Sequence, residues 1–434
     1  MTSEIVFRDL SRLVEPAALT IDDDRWLASL AAEADTAALS VPLHGAAPRA
    51  SQWNEPPEPL LTRQLDGSWR AGRFIGEIRR GDRVLRIEPR LGLATIAKWA
   101  NAALNVRIFE TSASKSGMGF VLAELQGAMW KRSLLRASRH GPLGVRRPTL
   151  HVGTTVRGRL DIGRSVQQLA RGNRQLVSVS APKSYDNPAT AAIYLASRVL
   201  DRDISRPDWK GSEVETVLAH IRMSIGPHPR LPRRRELDRV RYSPITQSYK
   251  GVAELSWRIA KNRTLGSSAR SDDVDGVLLD VAELWELFLV RCMQKAAGSR
   301  FEVVHGTLAG ATPLLRSTVD PARQMGSLYP DIVVSDELGP RLIVDAKYKR
   351  LDASSWVVRE DLYQLTSYLL AHAGGRDLRG ALAYPEGESA ESVAEQYGPW
   401  SYSATGTPSL ESEFLRLPTD ADGCVEAMAA LLKK

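Results

Sequence analysis

Only two cysteines, Cys292 and Cys424, occur among the 434 residues. Two thiols cannot build a metal cluster, and Cys292 lies in an apolar helical pattern where a buried thiol is the ordinary reading. Seven histidines are scattered without an H-E-x-x-H pair, so zinc-protease chemistry has no ligands. There is no G-x-S-x-G elbow, no glycine-rich dinucleotide fingerprint after a strand, and no G-x-x-x-x-G-K-[ST] phosphate loop. A serine hydrolase, a dinucleotide-dependent oxidoreductase and a P-loop motor are thereby excluded. No apolar run approaches the roughly 18 residues needed to span a bilayer, and the opening "MTSEIVFRDL" lacks a basic stretch followed by an apolar core. The expectation is a soluble cytoplasmic protein with no membrane partner. Internal repeats are also missing, which disfavours solenoids and propellers.

What is present is a modest basic excess, 58 Lys plus Arg against 51 Asp plus Glu, weighted toward arginine. Planar guanidinium groups suit phosphate recognition, but a net charge of +7 on this length also describes an ordinary basic surface. The charge is unevenly placed. From Trp130 to Arg164 nine Lys or Arg stand against one acid, Asp161, and a second basic segment, "RLPRRRELDRVRY", follows at residues 230–242. Either segment reads as a phosphate contact or as a solvated charged face.

The length implies two or three domains. Residues 1–70 read as an N-terminal extension, with acidic, Ala-rich helical text and a Pro-rich connector, "SQWNEPPEPLL". Residues 71–175 read as a mixed α/β region: "GRFIGEIRRGDRVLRIEPRLG" is a hairpin turning at Arg80-Gly81-Asp82. "LATIAKWANAAL" and "GFVLAELQGAMWKRSLLRASRHG" follow with helical spacing, and "LHVGTTVRGRLDI" is strand-like. Residues 176–266 read as a helical, basic connecting region. After the polar linker "SSARSDDVDG", residues 267–434 read as a final domain that alternates helix and strand.

That domain carries "LYPDIVVSDELGPRLIVDAKYK", Leu328 to Lys349, a strand pair turning at "SDELGP". Alternation along a strand places Asp345 and Lys347 on one face, and an antiparallel partner brings Asp331 beside them. Close carboxylates repel unless a cation neutralises them, and Mg²⁺ takes a few carboxylate oxygens together with water and phosphate. Lys347 would then orient or activate the attacking water and stabilise transition-state charge. The bland alternative is a solvated Asp345–Lys347 pair. Against it, Leu342, Ile343 and Val344 form the continuous apolar run of a central strand. Glu286, in an apolar helix beside Trp285, is a candidate third metal ligand or a solvated position. Gln364 and Tyr368 share one helix face and could steady the site, although Tyr368 also fits a core residue with its hydroxyl outward.

"PD" at Pro330-Asp331, "DAK" at Asp345 to Lys347 and "QLTSY" at Gln364 to Tyr368 together resemble the PD-(D/E)xK nuclease superfamily with its trailing Q-x-x-x-Y element. More narrowly, the chain is similar to the McrC family, the nuclease subunits of McrBC-type, modification-dependent restriction systems. The similarity runs through "IGEIRRGDRVLRIEPRLG", "VRGRLDI", "DNPATAA" and "LLDVAELWELFL", over about residues 72–385. It departs at Arg90, where the family usually has lysine, and within residues 189–191, where an asparagine is common.

The resemblance implies an α/β (α+β overall) architecture: a C-terminal α/β/α restriction-endonuclease-like domain with a mixed sheet, preceded by a partner-docking half. It implies Asp331, Asp345, Lys347, Gln364 and Tyr368 as the catalytic set. Asp331, Asp345 and Glu286 would hold Mg²⁺, with Mn²⁺ as a substitute. It also implies a McrB-like AAA+ GTPase hexamer as partner, with GTP bound by that partner and not by this chain. Double-stranded, methylated DNA would be the substrate. Two other functions remain open on the residues alone. One is a PD-(D/E)xK defence or repair nuclease working alone or with an ATPase, and the other is a non-catalytic adaptor that stimulates the motor.

Overall fold

A computed structural model describes residues 3–13, 19–41, 43, 58–104, 110–146, 148–226, 228–264, 274–306, 311–320, 322–349, 357–387, 398–402 and 409–433. Most of the proline-rich connector and of the linker before residue 275 lies outside them. The chain forms two compact units, residues 1–125 with 270–434, and residues 126–269. These units cut across the four segments read from the sequence. The reason is strand pairing, which joins segments far apart in the chain.

In the first unit, strand Phe74–Arg80 pairs antiparallel with Arg83–Glu88 on one side and with Asp275–Asp280 on the other, while Ser3–Arg8 adds parallel to Arg83–Glu88. The hairpin is the one its turn chemistry predicts: Arg80 pairs with Arg83 across Gly81-Asp82, and Gly81 takes the left-handed φ of 65° that a two-residue turn requires. Strand Asp275–Asp280 runs directly into helix Val281–Ala297. Asp280 caps that helix by accepting the Ala282 and Glu283 N–H groups at 3.0 and 3.2 Å, and its other oxygen meets the Arg73 guanidinium.

The same unit contains a six-stranded mixed sheet in the order Glu302–His305, Ile332–Asp336, Gly339–Ala346, Leu378–Pro385, Leu410–Leu417, Trp400–Ser401. The strand pair containing Asp331 and Asp345 closes more tightly than "SDELGP" suggests. Asp336 pairs with Gly339, so only Glu337 and Leu338 turn. Strand Gly339–Ala346 lies between an antiparallel and a parallel neighbour, and Leu342, Ile343 and Val344 are all buried. The alternation sorts its side chains. Ile343 packs with Leu365 and Leu369 of helix Arg359–His372. On the other side helix Val281–Ala297 packs with Leu93–Leu104 and Ala421–Lys433. The mixed α/β architecture expected from the sequence is the one observed.

In the second unit, helices Pro188–Asp203 and Tyr249–Thr264 form the main pair. Asn187 caps the first of these by accepting the Ala189 and Thr190 N–H groups, and its amide donates to Leu143 O at 3.0 Å. Trp130 Nε1 donates to Ser256 Oγ at 2.8 Å in the interior. The strand-like text at residues 150–162 divides. Thr149–Gly153 and Arg159–Leu160 both pair with Leu176–Ser180, and Asp161 then caps helix Ile162–Ala170. In the second basic segment two of the six arginines are paired within the unit, Arg230 with Glu236 and Arg234 with Asp238 and Glu254, while Arg233, Arg235, Arg239 and Arg241 are exposed.

Candidate active site

The residues singled out on the strand pair and the following helix converge. Asp331 precedes strand Ile332–Asp336, and its Oδ2 accepts the Ala346 N–H at 2.8 Å, which fixes the carboxylate beside the end of the neighbouring strand. Asp345 is almost fully buried, and its Oδ2 lies 2.6 Å from Lys347 Nζ. Lys347 Nζ also donates to Gln364 Oε1 at 2.6 Å, Gln364 Nε2 donates to the Tyr368 hydroxyl at 2.9 Å, and that hydroxyl donates to Tyr329 O at 3.2 Å. One continuous chain of contacts therefore runs from the buried aspartate to the backbone just before Pro330. One helical turn separates Gln364 from Tyr368, and that spacing is what lets one helix supply two consecutive links.

Burial works against a charged Asp345 and raises its carboxyl above the ordinary range; the Lys347 ammonium partly offsets this, while Asp361 and Glu286 add to it. Burial likewise pushes the Lys347 ammonium down, but Asp345, Asp361 and Asp331 together lift it above the ordinary lysine range. Lys347 is consequently a fixed cation at neutral pH. It can donate hydrogen bonds and stabilise negative charge, and it is a poor proton acceptor.

Glu286 is placed differently from the two aspartates. It is buried on helix Val281–Ala297, and its Oε1 lies 2.6 Å from His305 Nε2. Among the described residues no group of three or more His, Cys, Asp or Glu side chains converges closely enough to hold a metal ion. Asp331 and Asp345 meet at the strand end, and Glu286 lies near enough for its charge to act on Asp345. Asp345, buried and paired through Oδ2 with Lys347, has the Asp331 carboxylate beside it, and two such carboxylates suit Mg²⁺ completed by water and phosphate oxygens.

Two further residues bear on the site. Asp361, buried in the first turn of helix Arg359–His372, lies 3.6 Å from Lys347 Nζ and 2.5 Å from Lys349 Nζ. Its signal was in the sequence, three residues before Gln364 on the same helical face. Gly306 donates its N–H to Asp331 O at 3.1 Å, and a Cβ there would stand 1.9 Å from Pro330 O. No sequence pattern marks it, because the demand comes from a segment distant in the chain. Gly306→Ala should displace the Pro330-Asp331 peptide and lower any turnover at this site by about 10²-fold, the scale of an ångström-sized misplacement. Comparing kcat with circular dichroism for both proteins would check this, and an unchanged kcat would show that the peptide can yield.

A family model described as "McrBC 5-methylcytosine restriction system component" matches residues 69–385. No curated protein matches the chain. Among solved structures, a half-complex from a tetradecameric assembly of Thermococcus gammatolerans McrB AAA+ hexamers with bound McrC is similar at a TM-score of 0.53 and 14% identity, covering 100% of this chain and 99% of that one. A second structure, of the Thermococcus gammatolerans McrBC complex, aligns at a TM-score of 0.38 and 14% identity over 69% of this chain and 89% of that one.

Proposed function

We propose, from the premise that the chain belongs to the McrBC 5-methylcytosine restriction system component family, that it is the DNA-cutting subunit of such a system. On this reading it is a metal-dependent endonuclease that docks on an AAA+ GTPase ring, stimulates GTP hydrolysis there, and hydrolyses methylated foreign DNA in the cytoplasm. The observation that carries it is the convergence of Asp331, Asp345, Lys347, Gln364 and Tyr368 at one strand end.

Asp331 and Asp345 would hold Mg²⁺, which supplies Lewis acidity toward the scissile phosphate and a bound water of lowered pKa. Glu286, held through Oε1 by His305, would have its Oε2 to offer beside them. Lys347 contributes a permanent positive charge toward the phosphate oxygens and a donor that holds the attacking water. Gln364 directs the ammonium, and Tyr368 fixes Gln364.

Support for docking comes from helix Ile162–Ala170, which is turned inside out. Its Ser165 is buried and bonded to Val177, while Ile162, Val166 and Leu169, on one face, are 69, 57 and 52% exposed. A helix that hides serine and shows its apolar stripe is built to be covered. Arg157, Arg159, Arg171 and Arg174 lie close by in sequence, so the occupant assigned to it is an apolar, acid-rimmed surface of the AAA+ subunit. Val166→Asp should preserve folding and abolish stimulated GTP hydrolysis; retained stimulation would remove this helix from the docking surface.

The experiment for the whole reading is cleavage of methylated and unmethylated plasmid by the purified chain in Mg²⁺, with and without the AAA+ protein and GTP. Cutting that needs partner, GTP and methylation supports the proposal. Cutting by the chain alone would replace it with a stand-alone nuclease, and stimulated GTP hydrolysis without cutting would replace it with an adaptor.

A further inference from the structure

Tyr348 follows Lys347 directly, and alternation turns it to the opposite side of the strand end. There it is buried, edge-on to Trp99 with ring centroids 6.0 Å apart. The Arg90 guanidinium lies over its ring at 4.6 Å. Arg90 is itself buried in the turn that follows strand Arg83–Glu88. Its backbone N–H donates to Asp9 Oδ1 at 2.5 Å, and its Nε stands 4.0 Å from Asp9 Oδ2. Asp9, fully buried, follows strand Ser3–Arg8 and donates its own N–H to Glu88 O at 2.9 Å. A charged pair from the edge of the four-stranded sheet is thus stacked against the residue next to the candidate catalytic lysine.

The arrangement is an expensive way to fill a core. The Tyr348 hydroxyl meets Asp9 and Arg90, and Asp9 Oδ2, Arg90 Nε and Nη2 and that hydroxyl are buried together with imperfect hydrogen-bond geometry. A loosely paired Asp9–Arg90 couple and a hydroxyl buried in one place are more than stability alone favours, since apolar side chains of similar volume commonly do as well as a buried ion pair. We propose that Asp9, Arg90 and Tyr348 are positioning residues that clamp the strand end carrying Lys347 to the N-terminal sheet, so that the placement of the lysine depends on the state of that sheet. The proposal rests on the nuclease reading of the site. Its geometric part does not, because the clamp should hold the strand end whether or not the chain cuts DNA.

The test uses the full chain and three variants: Arg90→Met, Arg90→Lys, and the double variant Asp9→Asn/Arg90→Met, which removes both buried charges together. Hydrogen exchange is read at the Lys347 amide, which donates to Ala383 O at 2.8 Å, and DNA cutting is read as kcat and KM with the AAA+ partner and GTP. The expected result is that the double variant melts with the wild type yet exchanges the Lys347 amide about tenfold faster. Its kcat should fall by roughly 10²-fold at unchanged KM. Arg90→Lys, which keeps the charge, should recover most of the loss. Should Arg90→Met fail to fold through the stranded Asp9 carboxylate, the double variant still decides the matter. A double variant with wild-type exchange, or with faster exchange but wild-type kcat in a system that cuts, overturns the proposal. A wild-type chain that never cuts removes the nuclease reading and leaves the exchange result to judge the clamp.

Discussion

Asp345→Asn and Lys347→Met should each reduce Mg²⁺-dependent DNA cutting by on the order of 10³-fold, the scale of losing one preorganised electrostatic group. Both changes keep side-chain volume close to the original and leave the sheet unaltered. Asp345→Asn removes a carboxylate that burial makes unfavourable but also a partner of the Lys347 ammonium, which keeps Asp361 and Gln364, so its melting temperature should stay close to that of the wild type. Lys347→Met leaves Asp345 without its 2.6 Å partner, and the carboxyl then takes up a proton rather than remain charged and unpaired. Stimulation of GTP hydrolysis should survive in both, because neither residue lies on the proposed docking helix. A plasmid nicking time course beside a melting curve measures both quantities. Retained cutting by Asp345→Asn would end the assignment of this site.

Trp285→Ala should lower stability by about 3–5 kcal/mol, the usual range for emptying a buried large aromatic site. The indole is fully buried, 4.7 Å from the Trp99 ring and 5.6 Å from Phe288 between ring centroids. Its Nε1 donates at 3.2 Å to Ala383 O, the same carbonyl that accepts the Lys347 backbone N–H at 2.8 Å. The truncation therefore opens a cavity between helices Leu93–Leu104 and Val281–Ala297 and removes one of two donors from a carbonyl that anchors Lys347. Trp285→Phe, which restores most of the ring, should recover more than half of the stability and leave Ala383 O with the Lys347 N–H as its donor. Urea unfolding of the three proteins separates the terms. A loss under about 1 kcal/mol for the alanine variant would mean that the three-ring stack carries little of the core.

The local chemistry of the fold was legible in the chain. Glycine and aspartate between two apolar runs specified the hairpin after Phe74, the apolar spacing specified helix Leu93–Leu104, and three consecutive aliphatics before Asp345 specified a strand buried on both faces. Nearest-neighbour rules suffice for such features, because each depends on residues a few positions apart. Alternation likewise placed Asp345 and Lys347 on one face, and helical spacing placed Gln364 above Tyr368, so five of the six candidate residues were brought together as the sequence proposed.

Long-range pairing was not legible. The boundary drawn before residue 267 separated two strands, Phe74–Arg80 and Asp275–Asp280, that hydrogen-bond along their whole length. Nothing in either strand names the other, since register between distant segments is fixed by the burial of both faces at once. The same limitation hid the partner of Glu286, His305, which lies on a strand that follows its helix and meets Oε1 at 2.6 Å.

By itself, then, the sequence determined which chemistry is possible: two aspartates, a lysine, a glutamine and a tyrosine at spacings that a strand and a helix convert into one face. Tertiary structure decided what those groups experience. It buried Asp345 until its charge became unfavourable, set four anionic or amide groups around one ammonium, and stacked Arg90, which follows a strand of the four-stranded sheet, on Tyr348 at the strand end that carries it. Side-chain identity is written locally, but desolvation and charge coupling depend on everything packed around a group, and only the closed fold supplies that.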